Sequence, residues 1–580
     1  MSLRQIYQQA SSNFRLRLAY GDALLHLAVI GIVSGIVTGG AAVLFRLASE
    51  LPLAVLLPEG ESENFEGLET LQHFLFPVAG ALILGVIWDN IRPRFRAVGV
   101  GHVIERLSQH QGKLPFGNAV AQFFGGCLAL ISGQSLGREG PAVQLGATLA
   151  SLMGQKFRLP NNSMRTLVGC GIAAAIAASF NTPLAGVIFA MEVVLMEYTI
   201  VGFIPVMLAA VSGAVITQIV FGSEPAFSIP PLQLASLWEL PWLMVCGIAI
   251  GVLAAAALRL YMATQRMSRN RSYTLRFSVA GCITGLVSVL VPQTLGVGYD
   301  TLQSAMLGEL PVLLLLALVV TKLLSYAVSA GVGMPAGVIG PSLVIGACLG
   351  GSMGYAGQIF NPDEYINPGM YAILGMGAMM AATLNAPLAA LIAVLELTYK
   401  PHVLLPAMLV IVFATITARM LSNLPGMFLI GRNPRHLASP VFQMLSRVGV
   451  TSQMDRRFAP HSRHITWERA LELLDSKPEW LAIEDLGEPV YLMRPSDLAH
   501  FLKDSDTAEW ELEQAIDLLD IPGTRLLAEP IHDRASLQEA LILMKQREAE
   551  ACYVTTAQLI PTQTRIQGVL TRLDIENYYL

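Results

Sequence analysis

The residues best placed to do chemistry are Gly137-Arg138-Glu139-Gly140-Pro141, set between the apolar runs Ala119–Ile131 and Ala142–Met153. A break in an apolar segment at membrane depth frees backbone donors that must find a partner. A helix restarting near Pro141 points its first N–H groups back at the break. Such a terminus attracts anions, because the donors converge and the helix dipole is positive there. Glu139 stands where an anion would stand, which makes the two competitors: the ionised carboxylate occupies the donors, and its protonation or movement opens the path. A charged side chain at this depth is costly and marks an ion or proton route by default. The bland alternative is a re-entrant turn in which Arg138 and Glu139 simply pair.

A related segment, Gly337-Val338-Ile339-Gly340-Pro341, occurs later in the chain. A longer echo accompanies it. Asn181, Pro183 and Glu192 in the stretch from Gly171 are matched by Asn385, Pro387 and Glu396 in the stretch from Gly375, at a constant offset of 204. Proline suits the first helical turn, asparagine can cap nearby, and the glutamate falls toward the far end of the same helix. Chance can produce one such echo; two in the same order indicate duplicated halves. Repeated halves with broken helices form a transporter-like arrangement in which the ion site lies where the breaks meet.

The elements that must position these residues are membrane segments. The 580 residues are 53% hydrophobic and only 14% charged, with a mean hydropathy of +0.55, on the apolar side of soluble chains. Gly31, Gly35 and Gly39 recur every four residues in the first apolar run, His26–Leu47, and mark a face for close helix packing. That run is too long for a cleavable signal. Arg4, Arg15 and Arg17 before it place the N-terminus in the cytoplasm. Further runs are expected at Phe76–Trp88, Phe277–Val291, Pro311–Ser329, Pro341–Ile359, Tyr371–Leu397 and Leu404–Leu421. A basic cytoplasmic loop is expected between Arg259 and Arg276.

Charge divides the chain. Residues 451–580 carry 23 acidic and 13 basic side chains, a net of -10, whereas the first 450 carry 19 and 24, a net of +5. The acidic tail shows helical spacing at Trp467–Leu474 and Ser536–Met544 and short β-prone runs at Leu481–Ile483, Val490–Met493, Ala551–Thr555 and Gly568–Leu570. No basic patch with interleaved aromatics supports a nucleic-acid role. The six scattered cysteines lack metal spacing, and no nucleophile–base set supports an enzyme.

On these motifs the chain resembles the CLC family of chloride channels and chloride/proton exchangers over about residues 22–430. Gly137–Pro141 matches the family's GREGP motif, and Gly337–Pro341 its GxFxP motif, with Ile339 where phenylalanine is usual. The resemblance implies an all-α polytopic domain of inverted repeats, about 22–235 and 240–430, with an ion path in each subunit of a homodimer. It implies Glu139 as the gate. It assigns anion binding to Arg138 and Gly140 and to Gly337, Val338, Ile339, Gly340 and Pro341. The tail, 458–580, resembles a cytoplasmic α/β pair of CBS domains behind a 431–457 linker; residues 1–21 form a cytoplasmic lead. Asp574 matches an aspartate that holds the ribose of adenine nucleotides in some CBS domains, while a purely structural dimerisation module fits equally.

Three departures bear on function. The family's GSGIP is replaced by Gly99-Val100-Gly101-His102-Val103, so the hydroxyl its serine gives the anion is absent at Val100. His102 reads as structural. Val193 stands where exchangers of the family often carry a proton-relaying glutamate, and Glu192 before it reads as a structural carboxylate. No tyrosine lies between Leu421 and Gly431, which leaves Met427 or Phe428 to narrow the inner mouth. The first departure bears on which anion is chosen; the other two tilt the expectation slightly toward passive chloride conduction, with proton-coupled exchange as the alternative and a non-transporting sensor behind both. Chloride or another monovalent anion is the expected substrate. No resident cofactor, metal or obligatory protein partner is indicated, and the setting is the lipid bilayer of a bacterial inner membrane.

Overall fold

The computed structural model describes residues 24–198, 200–223, 227, 236–360, 367–430, 440–485, 488–504, 515–556 and 566–579. The expected lead, 1–21, and residues 431–439 of the expected linker lie outside them. The chain forms two compact units, one of Leu25–Lys156 with Arg165–Pro434 and one built around Phe157–Met164 and Arg435–Leu580.

The larger unit is all helix. Among the described residues nine helices are long and apolar enough to cross a membrane. They present Val29, Leu44, Ile83, Leu313 and Val320 outward, side chains that suit a lipid surface and would be a liability in water. Lengths are unequal, from 33 residues in Leu24–Leu56 to 7 in Pro183–Phe189. The apolar run Tyr371–Leu397 is two helices, Pro368–Leu384 and Pro387–Thr398. Asn385 between them takes a left-handed φ of 57° and Pro387 restarts the helix at its first turn. The first copy breaks in the same way, with Asn181 at φ 58° between Asn161–Phe180 and Pro183–Phe189. The copies then diverge: residues Ala190–Leu195 form a π-turn, whereas the second copy stays α-helical to Thr398. The basic loop is shorter than expected. Arg259 and Arg266 belong to the helix Leu240–Ser268, because the Ala- and Leu-rich run through them has no breaker, and only the four residues 269–272 separate it from the next helix, Tyr273–Leu290.

Small residues set the packing, and they do so twice. A Cβ on Gly35 would lie 2.4 Å from the Ala209 carbonyl oxygen, and one on Gly251 would lie 2.6 Å from that of Ala414. Gly146 meets the Gly171 carbonyl at 2.4 Å on the same measure, and Gly346 meets that of Gly375 at 2.3 Å. Backbones this close leave no room for a side chain, and close approach is how apolar helices attract one another without a hydrophobic driving force.

The tail unit is α/β. Its strands are β1 Phe458–Ser462, β2 His464–Thr466, β3 Trp480–Asp485, β4 Glu488–Met493, β5 Ala515–Asp517, β6 Arg525–His532, β7 Ala551–Thr555 and β8 Ile566–Thr571. Six make one sheet in the order β1-β3-β4-β6-β7-β8. β1 pairs parallel with β3 and β3 antiparallel with β4; β6 then repeats the pattern with β7 and β8. The helices Trp467–Asp475 and Leu537–Arg547 occupy the same place in each half. Each is capped by a hydroxyl, Thr466 on the Arg469 amide and Ser536 on the Glu539 amide. Strands β1, β2, β5 and β6 are not legible as β-prone runs, since proline, histidine and charged residues interrupt their alternation.

Candidate functional site

The helix after the first motif begins at Glu139 and the helix after the second at Ile339, equivalent positions of the two segments. The loops before them touch. Gly137 N–H donates to the Gly337 carbonyl at 2.8 Å and Gly337 N–H donates back to the Gly137 carbonyl at 2.5 Å, an isolated antiparallel bridge. A Cβ on Gly337 would meet the Gly140 nitrogen at 2.7 Å and the Gly137 oxygen at 2.8 Å, so the bridge needs glycine. The second reciprocal contact involves the repeated glutamates. Glu192 accepts from the Leu388 and Ala389 amides at 3.2 and 2.6 Å, and Glu396 accepts from the Leu184 and Ala185 amides at 2.9 and 2.7 Å. Each carboxylate thus caps the restarted helix of the other half. Contacts in which i meets j while j's counterpart meets i's counterpart are what a local two-fold axis produces.

Glu139 is fully buried in the first turn of its helix. Its Oε1 accepts from the Tyr299 hydroxyl at 2.5 Å, and its carboxylate lies against Gly137, Gly337 and Gly340. Arg138 does not pair with it. That guanidinium donates to Glu50 at 2.8 Å and sits 4.9 Å over the Tyr299 ring. The simple Arg138–Glu139 turn is therefore absent, and the motif turns two neighbouring charges in different directions.

Two cavities approach the motif segments. One, of about 410 Å³, is lined by Arg46, Glu50, Glu63, Arg138, Tyr299 and Asp300. Burial and the nearby Asp300 carboxylate hold Glu63, in the loop before Thr70, above the ordinary carboxylate range. The other cavity, about 280 Å³, is lined by Arg96, Arg269 and Arg276, by Gly99, Val100 and Gly101, and by Val338, Met427 and Phe428. Tyr299, on the wall of the first, hydrogen-bonds Glu139; Val338, on the wall of the second, is two residues from Gly340, against which Glu139 rests. The three arginines make the second cavity electropositive. The helix Val100–Gln109 starts at its wall and presents its first amides there.

The structure thus brings Gly99, Val100, Gly101, Val338, Met427 and Phe428 to one cavity and Arg138 to the other. Gly140 and Gly337 meet at the bridge and Gly340 lies against Glu139, while Ile339 and Pro341 belong to the first turn of the second restarted helix. His102 faces elsewhere, its Nδ1 3.2 Å from Gln144 Oε1. Val193 is buried on the π-turn. Met427 accepts from the Tyr326 hydroxyl at 3.1 Å, and Phe428 packs edge-on to Phe189. In the tail, Asp574 accepts from the Thr571 amide and hydroxyl at 2.8 and 2.7 Å, which caps the last helix. One of its oxygens is thereby engaged.

Two site residues escaped the sequence reading. Gln122, fully buried on the wall of the second cavity, ties its Nε2 to the Pro335 carbonyl at 2.5 Å and leaves Oε1 unpartnered. Tyr299 carries the hydroxyl on Glu139. A signal for it exists: Val98-Gly99-Val100 and Val297-Gly298-Tyr299 are a further echo, and both glycines sit at φ 83° before a helix.

Duplicated halves of broken, unequal helices meeting at one buried carboxylate define an ion-transport protein of the bilayer. The comparisons agree. The sequence model of the voltage gated chloride channel family matches residues 80–419. A putative chloride channel protein, ClcB-like, from Ralstonia nicotianae is 32% identical over 350 residues, 59% of this chain and 82% of that one. An H(+)/Cl(-) exchange transporter ClcA from Vibrio cholerae is 33% identical over 314 residues, 52% of this chain and 67% of that one. The crystal structure of a slow cyanobacterial Cl-/H+ antiporter superposes with a TM-score of 0.62 at 22% identity, covering 71% of this chain and 98% of that one. The chain belongs to the CLC family: it is an integral membrane protein that transports anions and is not an enzyme.

Proposed function

We propose that the protein exchanges chloride for protons across a bacterial inner membrane, with Glu139 as both gate and proton carrier. The observation that carries this is one fully buried carboxylate that hydrogen-bonds Tyr299, on the wall of one cavity, and rests against Gly337 and Gly340 at the start of the second restarted helix, whose first amides are donors for negative charge, two residues from Val338 on the wall of the other cavity. Ionised, Glu139 holds those donors and closes the path. When it takes a proton it loses its charge, the donors favour an anion, and the site passes to chloride. Returning the proton to the opposite side resets the gate, so the same group couples the two fluxes.

The narrow tilt toward passive conduction rests on Val193, which cannot relay a proton, and on the lack of a tyrosine between Leu421 and Gly431. A relative that transports H(+) and Cl(-) in exchange supports the coupled reading instead, with water carrying the proton past position 193. The protein works as a homodimer with an ion path in each subunit. The cavity with Arg96, Arg269 and Arg276 opens to the cytoplasm, where the basic residues belong, and the termini lie on that side. The tail is a CBS-like pair whose role is assembly.

The test is a liposome assay with a chloride gradient, no imposed proton gradient, and voltage clamped by valinomycin and potassium. Exchange drives protons uphill at a constant ratio to chloride. Chloride movement with no proton movement would return the protein to passive conduction, and no anion flux at all would leave only the sensor.

A further inference from the structure

We propose that the Tyr299 hydroxyl is a ligand of the permeating anion, given in turn to the Glu139 carboxylate and to the anion that replaces it. This rests on the part of the reading above in which the anion path passes Glu139, and is independent of proton coupling.

The first ground is symmetry. Gly99 and Gly298, in the echoed Val-Gly pairs and both at φ 83° though with ψ of -179° and 40°, precede the helices Val100–Gln109 and Tyr299–Leu307. Tyr299 is thus the counterpart of Val100. The first half brings a methyl-bearing side chain to the pathway at this position, and the second brings a donor. The hydroxyl that is missing on one wall is present on the other.

The second ground is how tightly the phenol is aimed. The Tyr299 amide donates to Glu63 Oε2 at 2.9 Å, which fixes the backbone. The ring is edge-on to Phe180 and Phe227, both at 6.2 Å, and Arg138 covers its face. Behind it, the fully buried Lys322 ammonium reaches the Gln293, Thr294 and Gly296 carbonyls at 3.3 to 3.5 Å, and a Cβ on Gly298 would come within 2.5 Å of that nitrogen. The hydroxyl therefore stays in place when its acceptor leaves. It lies beside Gly340 as well as Glu139, so what it offers to the carboxylate it offers to any anion entering there. A donor already fixed toward negative charge binds it without reorganisation. The other charged groups around the hydroxyl are Arg46, Glu50, Glu63, Arg138 and Asp300 on the cavity wall. They are unchanged by removing one oxygen from Tyr299.

The experiment measures chloride binding to the full-length purified chain by isothermal titration calorimetry in the Glu139→Ala background, where no carboxylate competes. Adding Tyr299→Phe, which keeps the ring, should weaken chloride binding about tenfold, the scale of one hydrogen bond to an ion. Incorporating 3-fluorotyrosine at 299, a more acidic donor, should tighten it. A purely structural tyrosine would leave both affinities at the Glu139→Ala value, and that result overturns the proposal. Should Tyr299→Phe fail to give a monodisperse protein, the fluorotyrosine arm decides alone. Failure of the exchange reading would appear elsewhere, as absent proton movement in the parent.

Discussion

The two halves of the membrane unit share a scaffold and differ in chemistry. Gly35 and Gly251 seat equivalent helices on equivalent carbonyls, and Glu192 and Glu396 cap each other's helices. At the motif loops the likeness stops. Ile339 stands opposite Glu139, Val338 opposite Arg138, and Val100 opposite Tyr299. Only the first half carries the π-turn, directly at Glu192 and Val193. Symmetry was kept where backbones must meet and was lost where an ion must be handled. A two-fold fixes geometry, but a directional process needs ends that are chemically unlike.

That contrast can be broken at its sharpest point first. Glu139→Gln keeps the shape and removes the ionisable group. It should abolish proton movement in liposomes and flatten the pH dependence of chloride flux; unchanged coupling would take the gate away from position 139. The scaffold should answer in pairs. Gly146→Val and Gly346→Val each drive a side chain into a carbonyl, and thermal unfolding in detergent should show matching losses of about 3 kcal/mol, the upper range for overpacking. A loss confined to one of them would mean that the halves do not share their packing.

Glu192→Gln and Glu396→Gln form the next pair. Each weakens two hydrogen bonds to a charged group, and equal destabilisation of about 1.5 kcal/mol is expected. Transport measured beside stability sharpens this test: an effect on proton coupling from Glu192→Gln alone would extend the functional asymmetry to the π-turn. The smallest effect belongs to Val100→Ser, which restores a hydroxyl to the half that lacks one. Chloride should gain on nitrate in relative permeability by less than about 1.5 kcal/mol, the lower end for a hydrogen bond to an ion. No change would mean that position 100 does not face the anion.

How much of this was legible depended on the range of the contact. The Glu139 motif, its echo and the Asn–Pro breaks are local, because proline, glycine and a left-handed asparagine act within one turn. The glycine face from Gly31 to Gly39 was legible by its spacing of four, although nothing in that stretch named the helix Ile200–Phe221 as its partner. The Tyr299–Glu139 bond spans 160 positions and the Arg138–Glu50 pair 88, and no periodicity encodes either. In the tail, Leu481–Ile483 and Ala551–Thr555 announced themselves as β-branched or apolar runs. β6 did not, since Glu529, Pro530 and His532 mask it.

The bridge between Gly137 and Gly337 has a consequence for ancestry. A gene for one half of the membrane unit, whose product paired with a second copy through the same contact, would have carried any residue at position 139 twice. Glutamate there would have set two buried acids on either side of one axis, where like charges prevent both from ionising together. Fusion of the two copies into one reading frame lifts that restriction: each locus can drift alone, and one can become Ile339 while the other remains an acid. In this protein the join between the halves permits a single carboxylate to serve the joint.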